Sequence, residues 1–201
     1  CFHFRMPYWP HMKEWLKYTE RMSYLLSQGD HVCDIALIYP TEPLQAYPEA
    51  SPRGVFATAQ QLSNAGLDYD FLDFRSLRNA GIKDKALHIT NEKYRIIILS
   101  DMRAIHHSSL EKIRDFYRAG GIVLASGVLP EASSHEGEQD KEVGTILQEI
   151  FGLTAREAKE GKTVSRQTNQ AGGTGIYVAD GAIEKVVPQL LPIIERLDYI
   201  A

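Results

Sequence analysis

The sequence predicts an α/β domain in which helices cover both faces of a parallel sheet. Three observations predict it. The runs DIALIY (34–39), IIILS (96–100) and GIVLAS (121–126) are continuously apolar, as central strands buried on both faces must be. Segments with helical spacing separate them, near 51–66, 108–120 and 141–152. No internal repeat or low-complexity tract interrupts this alternation. Strand and helix in alternation wind a sheet through right-handed crossovers. About five strands in 201 residues fit a three-layer α/β/α sandwich on a parallel, flavodoxin-like sheet.

The elements follow in order. WPHMKEWLKYTERMSYLLSQG places Met12, Trp15, Leu16, Met22, Leu25 and Leu26 at helical spacing, with Pro10 to start and Gly29 to end the helix. Two readings stand for its dense aromatics: a core helix, or a seam against a neighbouring domain. Residues 1–30 are therefore set apart from an α/β domain over 31–201. After the first strand, PTEPLQAYPEASPRG is a Pro-rich loop, and Ser51-Pro52 supply a cap and first-turn proline for a helix running to Gly66. That helix carries Val55, Phe56, Ala59 and Leu62 on one side. DYDFLD gives a second strand near 68–73, and KALHIT a small strand with a turn at Asn91-Glu92. SSLEKIRDFYRAGG reads as a helix with a Ser108/Glu111 capping box and a Gly120 stop. PEASSHEGEQD (130–140) is a polar loop, and KEVGTILQEIFG a further helix. AREAKEGKTVSRQTNQAGG reads as a polar surface excursion, and GIYVAD as the fifth strand. The tail AIEKVVPQLLPIIERLDYI has helical spacing that Pro188 and Pro192 should split or kink.

Composition narrows the function. Hydrophobic residues make up 44% and charged residues 24%, ordinary for a globular chain with a real core. The net charge of −4, from 22 basic and 26 acidic residues, offers no grip on a phosphate backbone or a membrane surface. Nucleic-acid and membrane partners are not expected. No apolar run reaches the ~18 residues of a membrane span. No signal peptide is visible, and the chain starts at Cys1 rather than Met, so a piece of a longer polypeptide is expected. Two cysteines, Cys1 and Cys33, form no metal motif, and Cys33 opens an apolar run as a core thiol. No cofactor and no metal are expected.

Ligands in such folds bind at the carboxyl ends of strands. The tips are Tyr39 to Glu42, Asp73 to Arg75, Ser100 to His107, Ser126 to Pro130 and Val178 to Asp180. Ser126 could be a nucleophile on an elbow. The elbow needs small residues two before and two after, where this chain has Leu124 and Val128. Its candidate base and acid, His135 and Glu136, are adjacent in a loop rather than separately placed. A strand-end serine that bonds backbone is the competing reading. Asp101 sits where phospho-acceptor receivers carry their aspartate, but the acidic pair and lysine that receivers need are missing. His106 and His107 are adjacent, so their side chains diverge and should not share a metal. AGGTG (171–175) precedes a strand and lacks the dinucleotide-fingerprint context. Asp68, Asp70 and Asp73 lack calcium-loop spacing. Glu42, Asp101, Arg103 and His106 are left as strand-tip candidates for ligand binding.

Two stretches carry a resemblance. FHFRMPYWPHMKEWLKYTERMSYLLSQGDHVCDIALIYP resembles the segment after the catalytic barrel in bacterial α-L-rhamnosidases of glycoside hydrolase family 106 and their relatives, in which an aromatic helix ending in YLLxQG precedes a strand and YP. YRIIILSDMRAIHHSSLEKIRDFYRAGGIVLASGVLPEAS resembles the next part of the same module. That module is similar in fold to class I glutamine amidotransferases and to the trimerisation domain of some β-galactosidases. The resemblance implies a scaffold whose elbow carried a GxCxG cysteine near Ser126, with an HxE near the last strand. Neither the flanking glycines nor that HxE is present, since HEGE falls at 135–138. It also implies a parent glycosidase, periplasmic or secreted in a bacterium, whose two catalytic carboxylates belong to a barrel outside this chain. Family calcium has no matching ligand set here. The expectation is a noncatalytic accessory module whose partners are the parent's other domains, the barrel above all, with carbohydrate contact and oligomerisation as further roles. The rivals are a free-standing Ser126 hydrolase and a sugar-binding or oligomerisation module.

Overall fold

The computed structural model describes residues 3–29, 31–161, 164–179 and 183–198. Asp180, at the end of the fifth strand tip, and Cys1 lie outside them. The chain forms two compact units, Cys1–His31 and Val32–Ala201. The first holds helix α1 (Met12–Leu26) after a short turn of helix at Trp9–His11. None of its helical residues is buried, and Trp15, Leu16, Tyr18, Tyr24, Leu25 and Leu26 are all exposed. The apolar spacing is thus real, and a core for it is not supplied within its own unit.

The second unit is mixed α/β with a mostly parallel central sheet. In chain order it contains β1 (Ile35–Ile38), α2 (Thr41–Ala46), α3 (Arg53–Asn64), β2 (Asp70–Leu72) and α4 (Phe74–Asn79). A three-stranded antiparallel meander follows, β3 (Gly81–Lys83), β4 (Ala86–Ile89) and β5 (Glu92–Tyr94). Then come β6 (Ile96–Ser100), β7 (Ala104–Ile105), α5 (His107–Arg118), β8 (Ile122–Ser126) and β9 (Ala132–Ser133). The chain continues through α6 (Lys141–Phe151), α7 (Ala155–Lys159), β10 (Val164–Thr168), β11 (Thr174–Val178) and α8 (Val186–Asp198).

The main sheet runs β10-β11-β8-β6-β1-β2. Every pairing from β2 to β11 is parallel. Period-2 alternation then divides the strand residues between two cores. Ala36, Ile38, Ile97, Leu99, Val123 and Ala125 face α4, α5, α6 and α7. Ile35, Leu37, Ile96, Ile98, Leu124 and Ile176 face α3 and α8. Helices on both faces explain why these strands read as unbroken apolar runs.

Several sequence expectations need correction. The sheet is not wholly parallel, because β10 adds antiparallel to β11 at the edge. The supposed polar excursion holds α7 and β10. The strand exposes alternate side chains to solvent, which hid it, while Thr154 and Glu157 form a true capping box for α7. The Ser108/Glu111 box does not form. Helix α5 begins at His107, and its first donors are satisfied from outside: Glu42 accepts the His106 N–H at 2.7 Å and Ser134 Oγ accepts the His107 N–H at 3.2 Å. Ser108 instead bonds the His106 ring, and Glu111 faces Arg114 and His107. Helix α3 starts at Arg53, whose N–H donates to Ser51 Oγ, and it buries Val55, Thr58, Ala59 and Leu62 but leaves Phe56 half exposed. Phe56 packs edge-on against Tyr39 and Phe71. The C-terminal helix is not split. Pro188 falls in its first turn, where an N–H has no intrahelical acceptor, and only Pro192 forfeits a helical bond. The meander strand β3 was unanticipated; its turn uses Asp84 and Lys85, both at positive φ, without the Asn-Gly signal.

Helix α6 shows how local chemistry fixes an element. Asp140 accepts from the Glu142 N–H at 2.8 Å and the Val143 N–H at 3.4 Å, and Ser133 Oγ donates to its other oxygen. Gly152, at φ +68, ends the helix. Burial opposes the charge on Asp140, but these hydrogen bonds outweigh it and hold the carboxyl below its ordinary value. A depressed carboxyl contributes stability above the ordinary carboxylate range and loses it as the pH falls through the folded-state value. Asp140→Ala should therefore cost about 1–2 kcal/mol at neutral pH, the usual range for a lost cap. In urea unfolding of both proteins, the gap should narrow on acidification into the carboxylate range; a constant gap would contradict this origin.

Candidate functional site

The carboxyl ends of β1, β6 and β8 meet where the sequence placed its candidates. Ser126 ends β8 and is 3% exposed. Alternation turns its side chain with Leu124 toward the α3 layer. There its hydroxyl lies 2.9 Å from Ser100 Oγ and 3.4 Å from Thr58 Oγ1, and Thr58 and Ser100 are 2.9 Å apart. Three hydroxyls close a buried ring in which each can donate and accept. No imidazole or carboxylate takes part in these bonds. Thr58 was missed by the sequence reading, although its helical spacing with Val55 and Leu62 put it on the buried face of α3.

Asp101 is a structural wedge beside this ring. It adopts φ +52, donates its N–H to the Ser126 carbonyl at 3.0 Å, and accepts the Val128 N–H on Oδ1 at 3.1 Å. Two glycines make room for its carboxylate. A Cβ on Gly54 would lie 1.7 Å from Oδ2, and a Cβ on Gly127 would lie 2.0 Å from Oδ1. Burial pushes the Cys33 thiol up to about 11, which keeps it protonated near neutral pH.

Outside the ring lies a cleft of about 530 Å³, lined by Glu42, Gln45 and Tyr47 after β1, by Ala104 to His106 after β6, and by Ser133, Ser134 and Glu138 after β8. Of the ligand-binding candidates, Glu42 and His106 line it. Arg103 stands at its margin, stacked 4.3 Å over the Tyr47 ring and paired with Glu49 at 2.7 Å. Asp101 is in the wedge rather than among the lining residues. Glu42 is heavily committed: one oxygen accepts from Arg78 at 2.6 Å and Ser109 at 3.3 Å, and the other from the His106 N–H.

His135 is not brought to Ser126. It lies beside His107, ring centroids 5.1 Å apart, and its Nδ1 is 3.6 Å from Glu142 Oε2. Glu136 makes none of the contacts that hold Ser126. His106 and His107 diverge as expected, one toward the cleft and one toward Glu142. The sequence offered no metal motif, and the fold gathers His107, His135 and Glu142 from separate segments. Adjacent-residue spacing could not reveal a set assembled across two helices and a loop. Among the described residues no helix is long and apolar enough to cross a membrane.

A family model described as alpha-L-rhamnosidase, glycoside hydrolase family 106, matches residues 2–187. The chain belongs to that family. Its similarity to a "Putative beta-glucuronidase" of Formosa agariphila is 25% identity over 147 residues, covering 72% of this chain and 12% of that protein. Gan42B, a GH42 β-galactosidase, shares the fold with a TM-score of 0.68 at 11% identity, covering 96% of this chain and 34% of that one. The catalytic mutant of Gan42B, from G. stearothermophilus, gives a TM-score of 0.69 at 12% identity with the same coverage. This family 106 chain therefore spans about an eighth of its curated relative and a third of its structural one.

The Asp101 wedge generates an opposite-sign pair of outcomes. Gly54→Ala should destabilise the chain by about 1–3 kcal/mol through overpacking. Gly144→Ala, in α6 with nothing within 4 Å of its added Cβ, should stabilise it by about 0.5–1 kcal/mol. Denaturant midpoints of the two variants check this.

Proposed function

We propose that this chain is a noncatalytic, amidotransferase-like module of a larger family 106 glycoside hydrolase, residues 31–201 being the module and residues 1–30 an aromatic element that docks on the parent's other domains. The five parallel strands lie in the spatial order second, first, third, fourth, fifth, which is the flavodoxin-like order. That order supports the scaffold assignment. The observation that carries the reading is the Ser126 ring. A serine nucleophile needs a base to take its proton and a group to orient the base. The Ser126 hydroxyl is buried among two other hydroxyls, neither of which is a base near neutral pH. Its bonds are satisfied, and its place is behind the strand tip rather than in the cleft.

The parent's hydrolytic carboxylates then belong outside this chain, to a catalytic barrel. The exposed Trp15, Leu16, Tyr18, Leu25 and Leu26 supply apolar area suited to such a neighbour. The cleft bounded by Glu42, Tyr47 and His106, with Arg103 at its margin, lies where the strand order reverses. It is the module's side for contact with carbohydrate. In the intact parent, Ser126→Ala should leave kcat/KM on an aryl α-L-rhamnoside within about twofold of wild type. Removing one hydroxyl from the ring should cost about 1–3 kcal/mol of stability. A loss of activity of a hundredfold or more, with the fold intact by circular dichroism, would refute the reading.

A further inference from the structure

We propose that His107, His135 and Glu142 form a binding site for a divalent transition-metal ion, zinc by the chemistry of the set. His107 is the first residue of α5, Glu142 the second of α6, and His135 stands on the loop between β9 and α6. One ligand atom from each lies within 4.8 Å of the other two. Two imidazoles and a carboxylate form a recognised three-ligand set for zinc, with a fourth position open to water or another oxygen.

The distances suit a shared ion. His107 Nε2 and Glu142 Oε2 are 3.0 Å apart, and His135 Nδ1 and the same oxygen 3.6 Å. Bonds of about 2.0–2.1 Å in a tetrahedron place neighbouring ligand atoms about 3.3–3.4 Å apart. The two spacings bracket that value.

The direction of the His107 ring adds a separate argument. Its Nε2 is a fully buried atom that makes no hydrogen bond, although Glu142 Oε2 is only 3.0 Å away. The oxygen is near the nitrogen but off its N–H axis. A histidine–carboxylate pair formed for its own sake would align. An ion between them would supply the partner that the buried nitrogen lacks.

The surroundings orient each ligand as outer-shell partners do. The other nitrogen of His107, Nδ1, lies 3.5 Å from Glu111 Oε2, and Glu111 is held by Arg114 at 3.3 Å. A carboxylate behind Nδ1 favours the tautomer that leaves Nε2 free to bind metal. Ser133 Oγ accepts the His135 N–H at 2.9 Å and donates to Asp140, which caps the helix bearing Glu142. One serine–aspartate pair thus positions two of the three ligands. An ion here would pin the 133–139 loop, which lines the cleft, to the starts of α5 and α6.

The test uses the intact protein, stripped with a chelator and titrated with zinc chloride or cobalt(II) chloride. Wild type should take up one equivalent that the His107→Ala/His135→Ala double variant lacks, and its cobalt form should show the intense visible bands of a four-coordinate site. Glu111→Gln should weaken that equivalent by tenfold or more, the usual effect of removing an outer-shell partner. His106→Ala, which changes the neighbouring imidazole, should retain it. His135 is well exposed, so His135→Ala keeps the test valid if His107→Ala does not fold. Equal uptake by wild type and by variants of His107 and His135 would overturn the proposal, as would a wild type that takes up no such equivalent.

Discussion

The strand tips are closed from within. Ser126, Ser100 and Thr58 satisfy one another, and all three are buried. Beside them Asp101 takes a left-handed backbone conformation that only a fitted environment maintains, and Gly54 and Gly127 provide it by having no side chains. The carboxyl ends of the paired strands β6 and β8 are therefore tied together by hydrogen bonds that stay inside the protein. A buried polar group left unpaired costs more than a paired one contributes, so these groups hold each other in place. Bulky Leu124 and Val128 fit this arrangement, since the chain need not turn sharply to present a side chain.

What the sequence made legible follows from the range of the signals. Strands buried on both faces announce themselves, and Ile96–Ser100 is found with its observed bounds. Helix α6 was legible as the run KEVGTILQEIFG, and its Asp140 cap and Gly152 stop sit at its own ends. Elements whose stabilisation comes from elsewhere were missed or misread. The start of α5 is satisfied by Glu42 and Ser134, distant in sequence, so the local Ser108/Glu111 pattern misled. Strand β10 is an edge with half its side chains in solvent, so its polarity resembled a loop. Phe56 was set on one side with Val55, Ala59 and Leu62, but it stands half exposed at the rim of their core, edge-on to Tyr39 and Phe71.

The site was legible in part for the same reason. Strand-tip logic located Glu42, His106 and Ser126 correctly in the fold, but roles depend on partners. Glu42 is bound up with Arg78 and the α5 start, Asp101 is a wedge, and the His135 ring lies beside a histidine and a glutamate rather than Ser126. The His107, His135 and Glu142 set could be found only once the loop and two helix starts were in place. The cleft, its bounding loop and that set are contiguous. Membership of family 106, with the chain spanning a small share of its relatives, accords with a domain of a larger polypeptide.

The measurement that bears most directly on the closed strand tip is the reactivity of Ser126 in the native protein. Incubation with a fluorophosphonate, followed by peptide mass spectrometry, reads it at the residue. The hydroxyl ring requires that Ser126 remain unmodified while the protein is folded. Stoichiometric phosphonylation of Ser126 under native conditions, abolished by prior unfolding, would show an activated serine and contradict the account.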